Sequence, residues 1–247
     1  MIAALEAYDW PEVQGELDRF WHDMSRPLRR QGINAPEALE RDDAARVFWQ
    51  RSDVLIGQTC SRPYRLGLHR RFSILGSLRF AIPGCENGFY CSRVITRAGL
   101  DVNELAGGLR LAVNSRCSQS GWAALQHWLA ANGAGHQETV LTGSHRASVV
   151  AVARGRADVA AIDAVSWHLA TRFEPASRHV VAVGDTPLSP GLPLVTARRN
   201  TPLLPHLRDA AMRAARAARR RPHAALPIIG FAPAADRLYR LQPYRHG

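Results

Sequence analysis

The chain contains no lysine: its 32 basic residues are all arginine, set against 21 acidic ones, for a net charge of +11. Arginine-only usage follows most simply from a GC-rich genome, although the guanidinium fork also suits paired contact with oxyanions. Long hydrophobic runs are missing too. No apolar stretch approaches the roughly 20 residues of a membrane span, which excludes a transmembrane helix by this criterion. Cysteine is scarce, with Cys60, Cys85, Cys91 and Cys117 and no CxxC pair. That argues against a zinc ribbon or a thioredoxin-like centre. Cys60 and Cys85 each stand near an expected strand end beside Pro or Gly. A disulfide between them in an oxidising compartment and two free, half-buried thiols are both open readings.

Catalytic signatures are also lacking. No GxSxG, HExxH, P-loop or GxGxxG pattern stands where its mechanism would need it, so the expectation is a protein that is not an enzyme and carries no cofactor and no metal. Cys117 with His145 is the one conceivable nucleophile pair, and nothing in the spacing requires it. Basic residues interleaved with aromatics, the mark of a nucleic-acid binder, are absent as well. The one dense basic run, RAARAARRR at 213–221, lies in an Ala-rich helical pattern and reads as a solvated helix face. The remaining arginines are scattered and attract small anions in general. The N-terminus has no basic region followed by a long apolar core, and residues 2–8 already read as a strand. The expected location is the periplasm if a leader has been removed, and the cytoplasm otherwise.

What is present is a globular composition, 46% hydrophobic and 21% charged over 247 residues, enough for a substantial core. Residues 2–8 read as a strand, 11–30 as a helix with Val13, Leu17, Phe20, Trp21, Met24 and Leu28 on one stripe, and 53–57 as a buried strand. A second helix is expected from about Glu37 through Val47, Phe48 and Trp49. This β-α-β order predicts a parallel sheet with a helical crossover. Residues 72–80 and 90–97 read as strands. An alternation follows: strand 109–114, helix 120–131, strand 138–142, helix 145–154, strand 158–162, helix 164–173. Strands at 180–183 and 192–197, a helix over 202–219 and short mixed elements over 222–247 complete the chain. The expected division is one lobe from 1–85 with 190–247 and a second from 86–189. Extended crossings near 80–97 and 180–198 would act as the hinge, with a ligand cleft between the lobes.

Ser118-Gln119-Ser120-Gly121-Trp122 is the most informative stretch. A strand that ends in small hydroxyl residues and enters a helix aims free N–H groups, and the positive end of the helix dipole, at one spot. That arrangement is a ready anion site. One serine is explained as an ordinary N-cap, whereas two hydroxyls and a glycine go beyond it. Other polar groups stand at expected strand ends: Tyr8, then Thr59 and Cys60 with Tyr64 beyond, Gly143-Ser144-His145, and Asp163. Open α/β sheets bind ligands at such ends. His145 reads either as a plain helix-start residue or as a donor to an oxyanion, and Asp163 either as a helix cap or as an acceptor from a ligand. Tyr8 and Tyr64 read either as packing aromatics or as ligand contacts. The six tryptophans are assigned to packing.

Together these residues resemble the substrate-binding proteins of phosphate, phosphite and phosphonate ABC transporters. The likeness is carried by Tyr8-Asp9, by Gly57-Gln58-Thr59-Cys60 with Pro63-Tyr64, and by Ser118-Gln119-Ser120-Gly121. It continues in Gly143-Ser144-His145-Arg146-Ala147-Ser148 and in the segment GRADVAAID ending at Asp163. The resemblance implies a type II periplasmic-binding-protein-like α/β fold of two lobes, with mostly parallel sheets, flanking helices and a ligand cleft. It implies a small oxyanion held by Ser118, Ser120, Gly121 and His145, with Tyr8, Thr59, Tyr64 and Asp163 lining the remainder. It also implies a transporter permease as partner. A monomer without nucleic-acid or membrane-inserting activity is expected. A cytoplasmic ligand-sensing module, or a biosynthetic enzyme on the same fold, is the alternative.

Overall fold

The computed structural model describes residues 1–41, 48–100, 108–221 and 223–240. They fall into two compact units: the described residues of 1–81, 86–88 and 190–240, and those of 82–85 and 89–189. In chain order the strands are β1 (Ile2–Ala4), β2 (Val54–Gln58), β3 (Phe72–Phe80), β4 (Cys85–Glu86), β5 (Phe89–Tyr90), β6 (Ser92–Arg97), β7 (Leu109–Val113), β8 (His136–Leu141), β9 (Val159–Asp163), β10 (Val180–Asp185), β11 (Ser189–Pro190), β12 (Pro193–Ala197) and β13 (Ile228–Pro233).

The first unit is built on a sheet ordered β1-β2-β12-β3-β13. Val54-Leu55-Ile56-Gly57-Gln58 is buried at every position, as a strand covered on both faces must be. Gly57 admits the Phe48 ring, which would stand 2.5 Å from a Cβ there. The helix Gln14–Arg30 buries Leu17, Phe20, Trp21, Met24 and Leu28 along one stripe. It packs against the helix Leu204–Arg219, which buries Leu207, Ala210, Ala211, Ala214, Ala215 and Ala218. The alanine stripe lets the helices approach closely and turns Arg213, Arg216 and Arg219 outward, so the RAARAARRR run divides into a packed face and a solvated one.

The second unit is built on the order β10-β6-β9-β7-β8. Its core joins Val94, Leu109, Leu111, Val113, Leu125, Leu129, Val159 and Ala161. β7 pairs in parallel with both β8 and β9, so the C-terminal ends of all three lie along one edge. Each then leads into a helix: Gln119–Ala123 continuing as Ala124–Ala131, His145–Ala153, and Ala164–Phe173.

Several local expectations change. The sheets are mixed and not mostly parallel. β1 with β2 is parallel, but β12 runs antiparallel to β2 and β3, and β13 to β3. In the second unit β6 is antiparallel to β9, and β10 to β6. β1–β2 and β7–β8 are consecutive strands joined by a helix and pair in parallel, whereas none of the antiparallel neighbours is a consecutive pair joined by a helical crossover. The first strand stops at Ala4 and residues Glu6–Tyr8 make a 3-10 turn. Of the expected second helix, residues 37–41 are irregular and Phe48–Gln50 form a 3-10 turn, while 42–47, including Val47, lie outside the described residues. The C-terminal part supplies β13 and a short helix Asp236–Arg240, while Pro222 and 241–247 lie outside the described residues.

Candidate functional site

Three helix starts meet at the shared strand edge of the second unit. The helix after β7 opens with a π-type turn over Gln119–Ala123, in which the Ala123 N–H reaches the Ser118 carbonyl at 3.2 Å. A turn wound this wide leaves its leading N–H groups without carbonyl acceptors. One of them, from Gly121, donates to Ser118 Oγ at 2.9 Å. Gly121 has to be glycine, because a Cβ there would sit 2.1 Å from Asn114 Oδ1 and 3.3 Å from His145 Cε1. Gly143, at φ +83, turns the chain out of β8, and Ser144 caps the next helix by accepting from Ala147 N–H at 3.1 Å. His145 is therefore the first residue of that helix. Asp163 ends β9 and caps the third helix: its Oδ1 accepts from Val165 and Ser166 N–H at 3.1 and 3.0 Å.

The side chains then join in a row. Ser118 Oγ lies 3.2 Å from Ser120 Oγ, Ser120 Oγ lies 2.8 Å from His145 Nε2, and Nε2 lies 3.3 Å from Asp163 Oδ2. Ser118, Ser120 and Asp163 are buried, and the His145 side chain is 11% exposed. Burial holds the His145 pKa below the usual histidine range, against the pull of Asp163 and the Ala161 backbone. Nε2 thus has both the Ser120 hydroxyl and the Asp163 carboxylate as neighbours. Two buried polar atoms here, His145 Nδ1 and Asn114 Oδ1, have no hydrogen-bond partner among the described residues. The cluster thus offers hydroxyls, helix-start N–H groups and a titratable ring, a set suited to a small oxyanion.

Ser118, Ser120, Gly121, His145 and Asp163 come together in this unit. Tyr8, Thr59 and Tyr64 belong to the other. Tyr8 is buried with its ring edge-on to Phe80 at 5.6 Å. Tyr64 is fully buried; its hydroxyl donates to Asp236 and lies 3.2 Å from Phe72 O, and burial raises its pKa well above the usual tyrosine value. Thr59 stands at the end of β2, its N–H on Pro193 O and its hydroxyl 3.5 Å from Cys60 O. All four cysteines are present as thiols. Burial, with Asp163 and Cys91 nearby, pushes the Cys85 thiol up to about 12. Cys117 is exposed, and His145 Nε2 is engaged by Ser120 and Asp163 instead. Within the GRADVAAID segment, Asp158 grips Arg110 of β7 at 2.7 Å and accepts its backbone N–H at 2.8 Å, which pins β7 beside β9. Asn114 was not among the residues marked by the sequence, although it follows a strand end like the others.

Among the described residues, no group of three His, Cys, Asp or Glu side chains is placed to hold a metal ion. No helix among them is long and apolar enough to cross a membrane.

Comparison with known proteins bears on this geometry. No curated protein matches the chain. Among solved structures, a binding-protein component of an ABC phosphonate transporter from Pseudomonas aeruginosa superposes with a TM-score of 0.69 at 18% identity, covering 97% of this chain and 82% of that one. PhnD1 from Prochlorococcus marinus, in complex with methylphosphonate, gives 0.69 at 15% identity, with 97% and 94% covered. A protein of Xanthomonas citri bound to chloride ion gives 0.65 at 20% identity, with 97% and 94% covered. These likenesses establish a shared fold, that of the periplasmic binding proteins. The family described as "ABC transporter, phosphonate, periplasmic substrate-binding protein" matches residues 77–239, a span that holds all three helix starts. Its members are binding proteins and not enzymes, and they normally work in the periplasm with a transporter. The chain belongs to this phosphonate-type family of ABC-transporter substrate-binding proteins.

Proposed function

We propose that this chain binds a small phosphorus oxyanion (a phosphonate, phosphite or phosphate ester) at the Ser118–Ser120–His145 cluster and delivers it to a permease. One observation carries the reading: Ser120 Oγ bonds His145 Nε2 at 2.8 Å, so two helix N-termini converge on one point. Their dipoles and N–H groups favour negative charge there, and the serine hydroxyls add donors. His145 supplies a further donor once an arriving anion draws a proton onto its ring. Asp163 Oδ2, 3.3 Å from the same Nε2, would then stabilise the imidazolium. The PhnD1 complex with methylphosphonate agrees with this ligand class.

A thermal-shift panel of phosphate, phosphite, methylphosphonate, 2-aminoethylphosphonate and sulfate tests the reading. At a ligand concentration of about 100 times Kd, binding adds about 2.7 kcal/mol and raises the melting temperature. A phosphorus oxyanion that shifts Ser120→Ala clearly less than wild type is the expected result. A flat panel would remove the site.

A further inference from the structure

The basic surplus of the chain is not spent at the anion site, and much of it gathers on the first unit. The helices Gln14–Arg30 and Leu204–Arg219 pack side by side, and the second lies on β3 and β13. Their outward side carries exposed Arg19, Arg26, Arg30, Arg213, Arg216 and Arg219, with Arg220 just beyond the helix end. The acidic residues of the same helices are largely committed. Asp18 pairs with Arg41 and Asp23 with Arg221, and Asp209 pairs with Arg213. Glu16 accepts the backbone N–H groups of Ala225 and Leu226 at 2.8 Å each. With 17 and 16 residues, the two helices make a strip roughly 25 Å long. Beside it is a recess of about 140 Å³ lined by Glu16, Arg19, Arg221, His223, Leu226 and Ile228 among others.

We propose that this helix pair is a docking surface for an anionic phospholipid bilayer, with a headgroup phosphate seated in the recess among Arg19, Arg221 and His223. A flat strip of arginines matches a plane of negative headgroups. Each basic residue held at such a surface adds roughly 1 kcal/mol, about a fivefold gain in partitioning. Exposed Phe, Tyr or Trp for base stacking is absent from the strip: Phe20 and Trp21 face inward, and the exposed positions are the arginines together with Gly15, Asp18, His22, Pro205 and His206. The surface is separate from the anion cluster, so the docking claim stands or falls independently of the ligand.

Co-sedimentation of the full chain with vesicles tests it. One set is equal parts phosphatidylglycerol and phosphatidylcholine, the other phosphatidylcholine alone. The expected result is binding to the anionic set only, abolished at about 0.5 M salt, where the Debye length is below ~5 Å. The triple variant Arg216→Glu/Arg219→Glu/Arg220→Glu should bind about a hundredfold more weakly. A control with the same charge change on the other unit, Arg156→Glu/Arg172→Glu/Arg178→Glu, should stay within about threefold of wild type. Melting curves of both variants verify that they fold. The proposal is overturned if the two triples weaken binding equally, if anionic vesicles are not bound, or if duplex DNA is bound in their place.

Discussion

Ser120 joins two helix starts through one hydroxyl. Its loss in Ser120→Ala leaves His145 Nε2 facing only Asp163 at 3.3 Å. A hydrogen bond to a charged group contributes about 1.5–3 kcal/mol, so anion affinity should fall about 10- to 100-fold while the melting temperature hardly moves; titration calorimetry reads both the affinity and the stoichiometry. Gly121 makes a steric prediction. Gly121→Ala forces a Cβ into Asn114 Oδ1, and should cost about 1–3 kcal/mol in urea unfolding. Combining it with Asn114→Ala should return part of that loss; equal costs with and without Asn114 would refute the clash. His145 makes a pH prediction. Its folded-state pKa lies below the unfolded value of about 6.5, so the unfolded chain binds more protons as pH falls through that value. Without ligand, stability should therefore drop from pH 7.5 to 5.5, by at most about 1.4 kcal/mol per pH unit, and His145→Gln should flatten that slope. A slope unchanged in the variant would place the titrating group elsewhere.

Elements account for what the sequence displays and what it hides. The alternation of strands and helices from Leu109 to Phe173 is legible, because β7 and β9 are short buried runs and turn residues (Ser115, Gly143 and Asp163) close the three strands, although β8 itself is largely exposed. Strand direction is not legible: period and composition mark β12 as a strand, but only the sheet shows it running against β2 and β3. The meeting of Ser120 with a histidine 25 residues on depends on β7 lying between β8 and β9, an order no local pattern encodes. Tyr64 shows the same limit, since its hydroxyl partner Asp236 is 172 residues away. The π-type opening of the helix at Gln119 has no sequence mark at all. Two caps carry element-scale predictions. Ser144→Ala removes the acceptor for Ala147 N–H and should cost about 1 kcal/mol of stability. It should also weaken anion binding, because the capped turn holds His145. Asp158→Ala leaves the Arg110 backbone N–H without its acceptor and the guanidinium with only Gly155 O, and should lower urea stability by about 1–3 kcal/mol without touching the serine cluster.

At the scale of the whole chain, two units of comparable size each carry their own sheet and core, and the family span of 77–239 runs through both. The polar groups at the helix starts sit in the second unit, while the arginine-rich helix pair sits in the first. The proposed oxyanion site and the proposed bilayer-docking surface therefore belong to different units. The central claim is that a phosphorus oxyanion is held at the Ser118–Ser120–His145 cluster. Calorimetric titration of wild type and Ser120→Ala with methylphosphonate, phosphite and phosphate is its most direct test. The account predicts one-to-one binding of at least one of the three by wild type and a 10- to 100-fold weaker constant for the variant, about 1.5–3 kcal/mol. Equal affinities in the two proteins, or no heat from any of the three with wild type, would contradict it.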